Sequence, residues 1–301
     1  MKKYFFRLGL VLLLMASTTA PLHAEAAADE KKADEKTIAE TFAGEELVYE
    51  IGFWIFGDIA EGRLRIDKGE GGAYTATLTA HTNGFVGALL RHRKDRYVAT
   101  LRMTDDGRRF ITESFAKEVE IEGKDRKTAL HTVDYAKGTV SWTYWNGGEK
   151  AKEGSVEIPD GMFVDDPIAA FYNFRFGAYG KIEEGRVYNI ASFPKDGRFP
   201  EISIRIVPER EIRKKRKRRA SDYLADARID KDLFGSKNGE IEIDFTNGML
   251  PVQAVAKGVL LFGDVKGKLR EVNLSAAAGP KAESPALSSL PRPEDHENKG
   301  G

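Results

Sequence analysis

The chain has 301 residues, 47 basic and 47 acidic side chains, 41% hydrophobic residues and no cysteine. That length supports a substantial core, and the missing cysteine excludes disulfides, thiolate metal sites, iron–sulfur clusters and a cysteine nucleophile. Balanced charge argues against a dedicated nucleic-acid binder, which carries a basic excess.

Residues 1–24 read as a secretory signal. Lys2, Lys3 and Arg7 precede an apolar run over residues 8–16, and Leu22-His23-Ala24 supplies a small-residue cleavage site, with Ala24-Glu25-Ala26 as the second choice. The run is shorter than the roughly 20 residues that span a bilayer, and the chain has no cysteine to carry a lipid. The expectation is a soluble periplasmic protein, not a lipoprotein. Export would remove nucleotide cofactors from reach, and no phosphate loop, dinucleotide fingerprint or nucleophile elbow is present, so no cofactor is expected.

Residues 25–44, rich in Ala, Glu, Lys and Asp, read as a disordered or frayed leader. Residues 45–274 read as one β-rich domain. Leu47, Tyr49, Ile51, Phe53 and Ile55 alternate with other residues at the period of a strand, as do Tyr74, Ala76, Leu78 and Ala80; Ile202, Ile204 and Ile206; and Ile241, Ile243 and Phe245. Such alternation buries one face of an antiparallel sheet and wets the other. Asp106-Gly107, Lys137-Gly138, Asn146-Gly147-Gly148, Asn238-Gly239 and Asn247-Gly248 supply hairpin turns, whose positive φ Gly and Asn tolerate. The pattern gives about a dozen strands, mainly antiparallel, and a sheet that wide must curl or close because strands twist. The expected fold class is all-β: a curved sheet, half-barrel, β-spiral or barrel.

One segment breaks the rhythm. Residues 166–177 predict a short helix with Asp166 as N-cap, Pro167 at the first helical position and Gly177 as terminator. Its apolar residues surround the axis, which predicts burial on several sides. A shorter helical turn is expected near residues 83–90. Residues 275–301, with Pro280, Pro285, Pro291 and Pro293, read as a disordered tail.

The opening Gly44-Glu45-Glu46-Leu47-Val48-Tyr49-Glu50-Ile51-Gly52-Phe53 resembles the start of the DUF3108 family of exported bacterial proteins. The central Asp165-Asp166-Pro167-Ile168-Ala169-Ala170-Phe171-Tyr172-Asn173-Phe174-Arg175 is similar to that family's helix, and Leu250-Pro251-Val252 and Phe262-Gly263-Asp264-Val265 to its last hairpin. The resemblance implies an envelope compartment and a curved-sheet architecture but no reaction, because the family's function is unknown.

His81, His92 and His131 lack paired zinc spacing and read as structural histidines. Ser114 and Lys117 match Ser-x-x-Lys by chance, since a strand puts them on opposite faces. No catalytic constellation or metal site is expected. Arg175 in an apolar helix needs a buried partner; it either clamps the helix or anchors an anionic headgroup, with Phe171, Tyr172 and Trp54 lining the ligand site. Trp142 and Tyr144 share a strand face and either pack the core or stack on a sugar ring. Arg210, Arg213, Lys214, Lys215, Arg216, Lys217, Arg218 and Arg219 form a basic cluster, read as an exposed loop able to touch anionic membrane surfaces.

Three functional readings follow. The first is a non-catalytic module that holds a lipid-like or apolar envelope molecule in a curved-sheet cavity. The second is an envelope interaction protein with a protein partner and no small ligand. The third, a hydrolase, has no assembled chemistry to support it. None involves nucleic acid.

Overall fold

Strand β1 (Glu45–Phe53) shows how the alternation is used, with Leu47 buried on the inner face. The computed structural model describes residues 36–53, 56–82, 84–89, 91–194, 197–215, 221–231, 236–259 and 263–274. The signal segment, the tail and most of the leader lie outside them.

From β1 the chain meanders through β2 (Phe56–Lys68), β3 (Ala73–Thr82), β4 (Lys94–Met103), β5 (Phe110–Glu120), β6 (Lys127–Asp134), β7 (Thr139–Asn146) and β8 (Glu149–Glu157). It then crosses to the far edge and returns through β9 (Val187–Ala191), β10 (Glu201–Ile206), β11 (Tyr223–Arg228), β12 (Glu240–Phe245), β13 (Pro251–Val259) and β14 (Gly263–Leu274). Among the described residues these strands form one 14-stranded sheet, in the order β8-β7-β6-β5-β4-β3-β2-β1-β14-β13-β12-β11-β10-β9. The first and last strands pair antiparallel near its middle. Strands β8 and β9, neighbours in sequence, form its two edges, with no ladder between them among the described residues. Register shifts, as at Thr100/Leu101 in β4 and Tyr144/Trp145 in β7, bend the strands. The fold is therefore an open, curved antiparallel sheet.

Helix α3 (Pro167–Phe176) lies in the long crossover between the two edges. It follows two shorter helices, α1 (Ile38–Phe42) and α2 (Gly84–Leu89). The expected cap is present: Asp166 accepts from the Ile168 and Ala169 amides, Pro167 occupies the first turn, and Gly177 takes a left-handed φ of 83°. Ile168, Ala169 and Tyr172 pack into one core with Leu47, Ile66, Tyr74 and Leu101 from β1–β4. Ala170 and Phe174 pack into a second with Ile190, Ile204, Ile206 and Phe245 from β9–β12. The helix is apolar all round because it joins two cores, one from each arm of the sheet.

Polar contacts fix its position. The Asn173 side chain accepts from the Phe110 amide and donates to the Phe110 carbonyl, both at 2.8 Å. The buried Asp165 accepts from Arg109 Nη2 at 2.6 Å and from the Tyr179 hydroxyl. Asp166, fully buried, also accepts from the Thr112 hydroxyl at 2.8 Å.

Burial raises the Asp166 carboxyl from its ordinary 3.8 to about 7, against the hydrogen bonds from Thr112 and the helix amides. The folded protein holds a proton there that the unfolded chain releases near 3.8. Stability from this group is complete below that value and is lost as pH rises towards 7, at up to about 1.4 kcal/mol per pH unit. His131 acts oppositely: burial and then Lys117 lower it from 6.5 to about 4, so its contribution is lost as pH falls through that window. Asp166→Asn keeps an oxygen that accepts from the helix amides, removes the carboxyl titration and puts a donor where Oδ2 accepted from Thr112, a change that does not vary with pH. We predict that the urea midpoint of Asp166→Asn, relative to the parent, rises between pH 4.5 and pH 7.5. A difference that stays constant with pH would contradict this.

Two expectations need correction. The end of the leader is folded: Thr37 and Glu40 form a capping box, and Ile38, Ala39 and Phe42 are buried. The Ile38 amide donates to the Gly107 carbonyl at 2.9 Å, docking α1 on the β4–β5 turn. The Asn247-Gly248 turn places Met249, not Gly248, in the left-handed region, at φ 57°.

Candidate functional site

Arg175 is a clamp. Its side chain is 3% exposed, and Nη1 and Nη2 donate to the two carboxylate oxygens of Glu45 at 2.5 and 2.8 Å. Nε donates to the Met249 carbonyl at 2.9 Å, on the residue with the strained φ. The guanidinium also lies over the Phe42 and Phe171 rings, at 4.5 and 5.1 Å. One arginine thus ties α3 to β1 and to the β12–β13 turn. Tyr172 is fully buried against Phe42, and Phe171 packs on the same core. The expected ligand site of Arg175, Phe171 and Tyr172 is therefore packed interior, because bidentate pairing with Glu45 occupies the guanidinium. Trp54 lies outside the described residues.

Open space occurs elsewhere, where the β5–β8 arm faces β10 and the segment before it. A cavity of about 410 Å³ there is lined by Phe115, Lys117, Ala129, His131, Trp142, Tyr144 and Lys152 from one arm. Pro167, Ser192, Phe193, Pro194, Pro200, Glu201, Ile202 and Asp230 complete its wall. The volume falls in the about 300–1,000 Å³ range of small-molecule sites.

Strand register explains the floor. Phe115 pairs with His131, His131 with Trp142, and Trp142 with Gly154, giving a row across four strands. Two residues along, Lys117 pairs with Ala129, Ala129 with Tyr144, and Tyr144 with Lys152. Side chains two apart on a strand share a face, so both rows point inward. Gly154 is required by its row, because a Cβ there would sit 2.4 Å from Trp142 Cζ2. The indole thus lies over the backbone of the edge strand.

The inner row is apolar and deep, with Phe115 3% and His131 9% exposed, whereas Tyr144 is 37% exposed. Phe193 stacks on His131 with ring centroids 4.5 Å apart and packs on Phe115 at 5.7 Å. His131 Nε2 lies 3.3 Å from the Tyr144 hydroxyl, while Nδ1 is buried without a hydrogen-bond partner. With its value lowered to about 4, His131 is neutral at pH 7. Charged groups stand on both sides: Lys117 and Lys152 on the floor, Glu201 and Asp230 opposite. Such a site can hold an apolar body against aromatic rings and meet a polar end at the outer row.

The sequence puts Trp142 and Tyr144 on one strand face, as the register has them, with core packing and ring stacking as alternatives, and it reads His131 as a structural histidine. The signal that could have found the site was Gly154 opposite Trp142, visible only once the register is known.

The basic cluster begins as a helix, which corrects the expected loop. Helix α4 (Glu209–Lys215) buries Ile212 against Val207 and Leu224. Arg213, exposed, donates to Glu209 one turn earlier at 2.7 Å. The Lys214 and Lys215 side chains, and Arg216, Lys217, Arg218 and Arg219 entirely, lie outside the described residues. Among the described residues, no helix is long and apolar enough to cross a membrane.

No protein-family model and no curated protein matches the chain. Among solved structures, the chain is similar to the beta-barrel-like protein of domain of unknown function DUF1849 from Brucella abortus. The identity is 13% and the TM-score 0.42, over 78% of this chain and 99% of that one.

Proposed function

We propose that this is an exported, non-catalytic envelope protein of DUF3108 type that holds a lipid-like or apolar molecule between the arms of its curved sheet. The observation that carries the reading is the cavity of about 410 Å³ floored by Phe115, His131 and Trp142 and walled by Phe193 and Ile202. Burying apolar ligand surface against such walls contributes about 25 cal/mol per Å² before the costs of association. The basic start and apolar run of residues 1–24 support export. The stretch that resembles the DUF3108 helix is the one that joins the two cores, so it builds the scaffold and leaves binding to the strands beyond it.

Native mass spectrometry of the mature protein purified from a Gram-negative periplasm, followed by denaturation and analysis of released lipids, tests the proposal. The expected result is a stoichiometric apolar or amphipathic molecule, present in the native mass and lost on denaturation. An unliganded mass that takes up no added ten-carbon alcohol would overturn it.

A further inference from the structure

The two rows of the cavity floor differ in kind, and that difference selects a ligand class. The inner row runs Phe115, His131, Trp142, Gly154, and the outer row Lys117, Ala129, Tyr144, Lys152. The inner row offers ring faces and aliphatic surface, and the outer row brackets a phenol with two amines. Lys117 Nζ lies 5.6 Å from the Tyr97 ring centroid, so the aromatic floor continues beneath that amine. His131, in the inner row, carries a buried Nδ1 that has no hydrogen-bond partner. Positive charge beside an apolar trough matches an amphiphile whose head is negative. Glu201 and Asp230 on the opposite wall balance the two amines of the floor, so positive charge is confined to the lysine row, which suits one negative charge there and disfavours a dianion.

We infer that the occupant is a single-chain amphiphile with a carboxylate head, its chain lying along Phe115, Trp142 and Phe193 and its head at the Lys117–Tyr144–Lys152 row. This inference rests on the cavity reading above. Charge-assisted hydrogen bonds to a carboxylate are stronger than neutral ones, so head discrimination is expected to reach about tenfold or more in affinity.

Titrations of the full mature chain with decanoate, decanol and decyltrimethylammonium at pH 7.5, followed by calorimetry, separate the possibilities. The expected order is decanoate tightest by about tenfold over decanol, with the ammonium weakest. Lys117→Met/Lys152→Met removes both amines at nearly the same side-chain length and is expected to bring decanoate down to the level the same variant shows for decanol. Should that variant not fold, Lys152→Met alone, at an exposed position on the edge strand, is expected to remove part of the preference. Equal affinity for decanoate and decanol, or a preference that survives both lysine changes, would overturn the headgroup inference while leaving the cavity reading in place. Binding of none of the three would overturn both.

Discussion

Arg175→Met is expected to destabilise the protein by about 3–5 kcal/mol, the cost of stranding one charge of a buried pair. Glu45, 5% exposed, loses both of its guanidinium bonds, and the Met249 carbonyl loses its donor. Desolvation makes an unpaired buried carboxylate far more costly than the pair's net contribution. The double variant Glu45→Met/Arg175→Met removes both charges and is expected to recover much of the loss, because an apolar replacement needs no partner. Urea midpoints of the three proteins measure this directly. An unchanged midpoint in Arg175→Met would show that the clamp does not hold the arms. The cavity lies apart from Arg175, so decanol affinity of the folded fraction should remain at the parent value.

The second large effect is expected for Asn173→Leu. Strand β6 pairs with β5 only over Ser114–Val119, so Phe110 has no β6 partner. The Asn173 amide supplies both bonds, accepting from the Phe110 amide and donating to its carbonyl, in a fully buried position. Leucine has similar bulk but cannot hydrogen-bond. Each buried backbone group left without a partner costs about 1–3 kcal/mol, so a loss of about 2–6 kcal/mol is expected on the same basis. Equilibrium unfolding in urea reads it, and a loss below about 0.5 kcal/mol, the size of ordinary surface substitutions, would contradict the assignment.

The scaffold was largely legible in the sequence. Period-two runs such as Ile202, Ile204 and Ile206 became inward faces, and Gly107, Gly138, Gly147 and Gly239 took the positive φ expected of their turns. Asp166, Pro167 and Gly177 bounded the helix as local chemistry requires. Arg175 stands out in the sequence as a charge in an apolar helix, but the choice between clamp and ligand anchor depends on Glu45, 130 positions earlier in the chain. The folded end of the leader was readable from Thr37 and Glu40 and the Ile38–Phe42 stripe, yet its flanking charges masked it. The cavity was not legible, because a row such as Phe115, His131 and Trp142 forms through cross-strand register. Its far wall, Phe193 and Ile202, arrives from the opposite arm after the α3 crossover.

The central claim is that ligand is held between the arms and not around α3. Hydrogen-exchange mass spectrometry of the mature protein with and without saturating decanol tests it most directly. The account predicts added protection in β5–β8 and around Ser192, Phe193, Glu201 and Ile202, with α3 beyond its first turn unchanged. Protection centred on Phe171–Arg175, or no change anywhere in the chain, would contradict it.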